Sequence, residues 1–365
     1  MTVPFLKLGL LAALTALLPP ASPPAEAKDV IVRVATLLSA RAVHTATALP
    51  SGHVLFAGGM TSGGASLATA ELFDPADNTL RAVGSMSEQR VGHTATLLPG
   101  GQVLMAGGHD DTSVELFNPA TMTFRQVGQL RQARSGHTAT LLPDGLVLFT
   151  GGVGPHWTFL RSAELFDTRT GRSELVGPML RPRESHTATL LADGGVLIAG
   201  GHSGRRREME VYASTELFDS RTRRFRAGGE LATARHKHDA LRLMDGRVLI
   251  IAGADRTDRN HFNTTEIYNP KTGTSASGPA MANRRYKING TSILLSNGDV
   301  LVTSGAQAPE ILDARTHTFR EVAGSLSDAY RFAAATALPN GDVVIAGGYS
   351  DRNENTGGIW RFHRP

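Results

Sequence analysis

The chain has 365 residues, no cysteine, 40 glycines and 18 prolines, with 19% of residues charged and a formal net charge of +4. A hydrophobic fraction of 41% can fill a sizeable core and excludes an intrinsically disordered chain. The absence of cysteine excludes disulfide staples, thiolate metal sites and a cysteine nucleophile.

In chain order, the first element is a leader. Lys7, the apolar run from Leu8 to Leu18, a Pro-rich stretch and Ala25-Glu26-Ala27 follow the layout of a signal peptide. The apolar run is shorter than the ~20 residues a spanning helix needs. The expectation is therefore a signal peptide over 1–27 and a mature chain over 28–365, secreted or periplasmic, with no stable membrane span. Basic residues are scattered apart from Arg205-Arg206-Arg207, and no reading motif accompanies them, so nucleic acid is not an expected partner.

The strand Val30 to Val34 comes next, and then a repeat. His-Thr-Ala-Thr recurs at His44, His93, His137 and His186, with His238-Asp-Ala-Leu as a divergent copy. Each copy leads to a turn such as Asp144-Gly145, Asp193-Gly194 or Asp245-Gly246, whose residues suit tight hairpins. A short apolar run then ends in Gly58-Gly59, Gly107-Gly108, Gly151-Gly152 or Gly200-Gly201. After a variable loop comes Glu-Leu-Phe-Asp or a relative, at Glu71, Glu115, Glu164, Glu216, Glu266 and Glu310, followed by a last strand such as Thr123 to Val127. Two worn copies begin near 290 and 333, so the period is 43–52 residues. Four short antiparallel strands at this period predict a propeller blade.

The Gly-Gly pair and the order of strands resemble the kelch-repeat family, over residues 30–365. Secreted bacterial kelch proteins, with a propeller similar to that of galactose oxidase, are nearest in style. The Tyr and Trp expected after the Gly pair are mostly Leu and Phe here. The resemblance implies an all-β, seven-bladed propeller. Ile359 to His363 completes only the third strand of the seventh copy, while Val30 to Val34 stands at the spacing of an outer strand. Pairing of the two ends is expected to close the ring and remove its exposed edges.

In such a meander the recurring histidines, the Gly-Gly exits and the variable loops share one face, where binding residues are expected. Residues present in most blades, such as these histidines, the glutamates and Arg41, Arg90, Arg134, Arg183 and Arg235, are expected to serve every blade as structural or interblade partners. A ligand meets the ring in one place, so its contacts must break the repeat. The candidate binding residues are His156, Trp157, Arg205, Arg206, Arg207, His261, Tyr286, Lys287, Tyr330, Arg331, Tyr349 and Arg352, with Asp255, Arg256, Asp258, Arg259 and Arg285 beside them. Aromatic rings with arginine suit sugars, carboxylates and peptide segments.

The expected function is a binding or scaffold module for a glycan or protein partner, monomeric, with no cofactor and no metal. The alternative is an enzyme acting on a carbohydrate or acidic metabolite on the same face. Radical copper chemistry of the galactose oxidase kind requires a tyrosine joined to a cysteine and is rejected. No phosphate loop, His-Glu-x-x-His or Gly-x-Ser-x-Gly motif is present.

Overall fold

The computed structural model describes residues 29–364, and the expected leader over 1–27 lies outside them. Each repeat folds into four antiparallel strands, from the axis outward. Blade 1 runs Thr45–Ala48, Val54–Ala57, Ala70–Asp74 and Thr79–Ala82. Blades 2 to 6 repeat this order from inner strands Thr94–Leu97, Thr138–Leu141, Thr187–Leu190, Asp239–Arg242 and Ser292–Leu294. Blade 7 is assembled from both ends of the chain: Ala334–Ala337, Val343–Ala346, Gly358–His363 and, outermost, Val30–Thr36. The register runs from Val30 opposite His363 to Thr36 opposite Gly358, with a bulge between Arg33 and Ala35. Asp29 accepts from Arg364 and Arg320, and Arg364 also donates to Asp299 at 2.9 Å, so charge clasps the same junction.

The sequence of each strand matches its radius. The inner strands of blades 1 to 4 and 7 are mostly Thr and Ala, small side chains where the wedge narrows at the axis. Second strands such as Val-Leu-Phe-Ala and Val-Leu-Ile-Ala are wholly buried because a neighbouring blade covers each face. The core is thus divided between blades. Leu55 and Leu72 of blade 1 pack with Met105 and Phe117 of blade 2, and Phe56 and Phe73 pack with Val344 and Ile359 of blade 7.

Two interlocks repeat around the ring. In the first, Arg41, Arg90, Arg134, Arg183, Arg235 and Arg285, all wholly buried, pair with Glu71, Glu115, Glu164, Glu216, Glu266 and Glu310 at 2.5–2.9 Å. Each arginine also donates to the carbonyl ending its second strand, at 2.6–2.8 Å. Each glutamate accepts backbone N–H groups from the segment entering its blade, as from Leu38 and Ser39 to Glu71. The second interlock links neighbours. His93, His137, His186 and His238 share hydrogen bonds at 3.1–3.3 Å with Thr45, Thr94, Thr138 and Thr187 of the preceding blade. The same rings press on the first glycine of that blade's pair: a Cβ on Gly107 would lie 2.6 Å from His137 Cε1. Ala252 and Ser304 replace this glycine in blades 5 and 6, where the following blade offers Ile288 or Ala333 in place of histidine. The histidines therefore join blades, as their recurrence implied.

Blade 7 departs from the first interlock, and this corrects one expectation. Tyr330 occupies the arginine position and Trp360 the glutamate position, opposite Ile345 as Glu71 is opposite Phe56. Their rings pack at 5.4 Å. Tyr330 is therefore an aromatic replacement for a buried ion pair, an exchange that costs little when volume is kept, and Arg285, also a departure in the sequence reading, is the repeat arginine of blade 6.

Removing 28–35 strips the outer strand from blade 7 and should lower the melting temperature sharply; a truncated chain that melts like the full chain refutes this role for closure. Arg134→Met leaves Glu164 charged and buried and should cost about 3–5 kcal/mol in denaturant unfolding. Burial lowers His44, His93 and His186 to about 3, and His137 and His238 well below the ordinary 6.5, so all five are neutral in the fold. The unfolded chain takes up these protons first. Stability is complete above pH 6.5 and falls as pH drops towards 3, by up to about 1.4 kcal/mol per pH unit for each histidine. Against a typical total of about 5–15 kcal/mol, melting curves should collapse between about pH 5.5 and 4.

Candidate functional site

The residue before each histidine position, a position held by Ile288 and Ala333 in blades 6 and 7, turns the chain towards the channel. Val43, Gly92, Gly136, Ser185, Lys237, Lys287 and Phe332 all have positive φ, between 48° and 67°. Backbone bonds run between neighbours in this ring: Val43 N–H to the Phe332 carbonyl at 3.1 Å, Lys237 to Ser185 at 3.1 Å, Lys287 to Lys237 at 2.8 Å and Phe332 to Lys287 at 2.9 Å. Inside the ring, on the loop face, opens a cavity of about 530 Å³ lined by Val91, Gly92, Gly136, Glu184, Ser185 and Phe332, among others.

The chemistry around this mouth is lopsided. The two residues ahead of the histidine position are Ala42-Val43, Val91-Gly92 and Ser135-Gly136 in blades 1 to 3. In blades 4 to 7 they are Glu184-Ser185, His236-Lys237, Tyr286-Lys287 and Arg331-Phe332. One half of the rim is small and nearly uncharged, and the other half is a crescent of polar and aromatic groups.

Two sets of contacts organise the crescent. In the first, His261 stacks on Tyr286 with ring centres 3.6 Å apart, and the Arg331 guanidinium lies 4.8 Å from the same ring. Lys287 Nζ donates to Tyr349 Oη at 2.6 Å and stands 5.0–5.5 Å from the centres of the Tyr286, Phe332 and Tyr349 rings. Arg331 pairs with the exposed Asp351, whereas no ion pair engages Lys287 among the described residues. Burial raises the Tyr349 phenol and lowers His261.

The second set is a line of titratable groups. Glu184 Oε2 lies 3.1 Å from His202 Nε2, His202 Nδ1 lies 3.1 Å from His236 Nδ1, and His236 Nε2 lies 3.0 Å from Asp258 Oδ1. Asp258 also accepts from Lys237 Nζ at 2.5 Å. His236 Nε2 also shares a hydrogen bond with the Asp255 carbonyl at 3.1 Å. Burial pulls His236 below the histidine range against the opposing pull of Asp258. Burial raises Asp258, but hydrogen bonds from His236 and Lys237 outweigh it and hold the carboxyl well below the carboxylate range.

Of the candidates from sequence, His261, Tyr286, Lys287, Arg331 and Tyr349 converge. Trp157 and Arg205 meet elsewhere, on hairpins of blades 3 and 4, with the guanidinium carbon 3.5 Å from the ring centre. His156, Arg206 and Arg207 are exposed beside them. Arg352 is exposed in the turn Ser350–Asn353, engages through its backbone N–H with Ser350, and does not join the crescent. Glu184, His202, His236 and Lys237 were absent from the sequence-based set. For Glu184, His236 and Lys237 the signal lay in the repeat alignment itself, at columns that are small in blades 1 to 3 and mostly charged or aromatic in the rest, whereas His202 follows the Gly pair, in a column with no such pattern.

A family model described as the KLHDC2/KLHL20/DRC7 Kelch-repeats domain matches residues 92–305. No curated protein matches the chain. Among solved structures, a fungal alcohol oxidase of the AA5 family in complex with copper aligns with a TM-score of 0.73 at 13% identity, over 92% of this chain and 76% of that one, a likeness of fold. The residues here do not fit a copper centre of the radical kind: there is no cysteine to modify a tyrosine. His261 stacks flat on Tyr286 with its Nε2 bonded to the Asp258 carbonyl at 3.0 Å. Among the described residues no three His, Asp or Glu side chains are grouped to hold a metal ion, and no helix is long and apolar enough to cross a membrane. The repeat, the ring of seven blades and the family match together establish that the chain belongs to the Kelch-repeat family.

Proposed function

We propose that the chain is an exported binding module whose mouth crescent, over blades 4 to 7, holds a carboxylate-bearing segment of a protein or glycan partner. The observation that carries this reading is Lys287: a half-buried ammonium framed by three aromatic rings, with a tyrosine hydroxyl and no carboxylate as its partner. Arg331 stands next to it, and its Asp351 partner is 66% exposed, so an incoming carboxylate can displace that side chain at small cost. The leader pattern over 1–27 supports export. The small side chains of blades 1 to 3 leave room for the partner across the mouth.

A second reading, catalysis on a carbohydrate or acidic metabolite, is favoured by the Glu184–His202–His236–Asp258 line. It could relay a proton between the buried histidines and Glu184, which reaches the cavity. The two readings separate in one experiment. A labelled polyglutamate peptide, followed by fluorescence anisotropy, should bind the wild-type chain. Lys287→Met and Arg331→Met should each weaken it about 10- to 100-fold, the loss of one charge-assisted hydrogen bond. Their melting temperatures should stay close to wild type. Binding unchanged in both variants would falsify the assignment, whereas turnover of an added uronate, lost in Glu184→Gln, would favour the enzyme.

A further inference from the structure

We propose a second binding site, separate from the mouth, on the hairpins that rise from blades 3 and 4: a site for an acidic glycan, a chain of uronic-acid sugars. The hairpins pair Val153–Gly154 with Thr158–Phe159 and His202–Ser203 with Glu210–Val211. Their tips hold a costly conformation. His156, Trp157 and Arg206 have φ of 56°, 61° and 54°, in the left-handed region that side chains rarely adopt. This backbone holds Trp157 out at 59% exposure, while the other tryptophan, Trp360, is 1% exposed.

The exposed indole is not alone. The Arg205 guanidinium lies over it at 3.5 Å. Arg205, Arg206 and Arg207 are all exposed, and none forms a salt bridge or side-chain hydrogen bond among the described residues. Of the carboxylates on this hairpin, Glu210 is engaged by Arg181 at 2.9 Å, and Glu208 is exposed in the tip turn, so cationic groups outnumber acidic ones there three to one. The tips thus carry a flat apolar ring, a planar cation stacked on it and two further unpaired guanidinium groups.

The chemistry of the ligand follows from asking what satisfies all of these groups together. A pyranose ring presents a face of C–H bonds that packs on an aromatic plane, and a uronate carboxylate on the same sugar matches a guanidinium in bidentate geometry. An acidic peptide would serve the arginines and leave the indole exposed. A membrane surface calls for a broader apolar face, and the tip residues around Trp157 are Pro155, His156 and Thr158. The three exposed guanidinium groups offer several contacts to a ligand that carries repeated negative charge, as a polyuronate does.

The chain has two tryptophans and one is buried, so its fluorescence reports the site directly. Titration with an oligogalacturonate should shift the emission to shorter wavelength and protect it from iodide quenching, less so as salt is raised. Neutral dextran should do neither. By calorimetry, Trp157→Ala and the triple variant Arg205→Gln, Arg206→Gln, Arg207→Gln should each weaken oligogalacturonate binding at least about tenfold, or 1.4 kcal/mol. Arg221→Gln, in an exposed turn on the opposite face, should leave it unchanged, and circular dichroism should show all variants folded. The proposal is overturned by any one of four results: no emission change with oligogalacturonate, an equal response to dextran, undiminished binding by the triple variant, or a response confined to polyglutamate or to phosphatidylglycerol vesicles.

Discussion

The contact on which the ring depends is the buried one between a blade's histidine and the first glycine of the blade before it. A propeller has no central core. Each blade is stable because its two faces are covered, so the interface between blades is the unit of stability. Near the axis, side chains must be small or must interdigitate. The imidazole fills the place a glycine leaves open, and its outer nitrogen meets a threonine on the same neighbour. The pairing is reciprocal. Ala252 and Ser304 stand at the glycine position only where Ile288 and Ala333 replace histidine in the next blade.

The arginine–glutamate pairs work within a repeat but act on its entry. Each glutamate receives backbone N–H groups of the segment arriving from the previous blade, and each arginine ties that segment to the end of the second strand. A wholly buried pair of this kind contributes little net stability compared with apolar packing, and breaking it is expensive. Blade 7 illustrates the first half of that statement, because Tyr330 and Trp360 fill the same space with aromatic packing. This blade is also the one assembled from both chain ends, with Asp29, Arg320, Arg364 and Asp299 clasped around the joint.

With the ring held by repeated contacts, function concentrates where repetition fails. The residues just ahead of each histidine position are fixed in space by backbone hydrogen bonds around the mouth, so their side chains can vary without loss of the fold. In blades 1 to 3 they are small. In blades 4 to 7 they supply Glu184, His236, Lys237, Tyr286, Lys287 and Arg331, and the loops add His202, Asp258, His261 and Tyr349. The hairpins on blades 3 and 4 are a second departure, allowed because loops on this face are free to lengthen.

The repeat period, the turn chemistry and the glycine pairs determined the blades, their number and the closure by Val30 to Val34, because strand order in a meander is local and each copy corrects the reading of the others. Much of the crescent was legible for the same reason: Asp258, His261, Tyr286, Lys287, Arg331 and Tyr349 stood out as departures from the repeat. The tertiary structure decided which departures meet. Tyr330 and Lys287 look alike along the chain, yet one turns inward onto Trp360 and the other lines up with Tyr349, 62 residues away. Glu184, His202, His236 and Asp258 form one line only because neighbouring blades bring together residues from four separate stretches of chain. Such distances are set by the curvature of the ring, which no single repeat encodes.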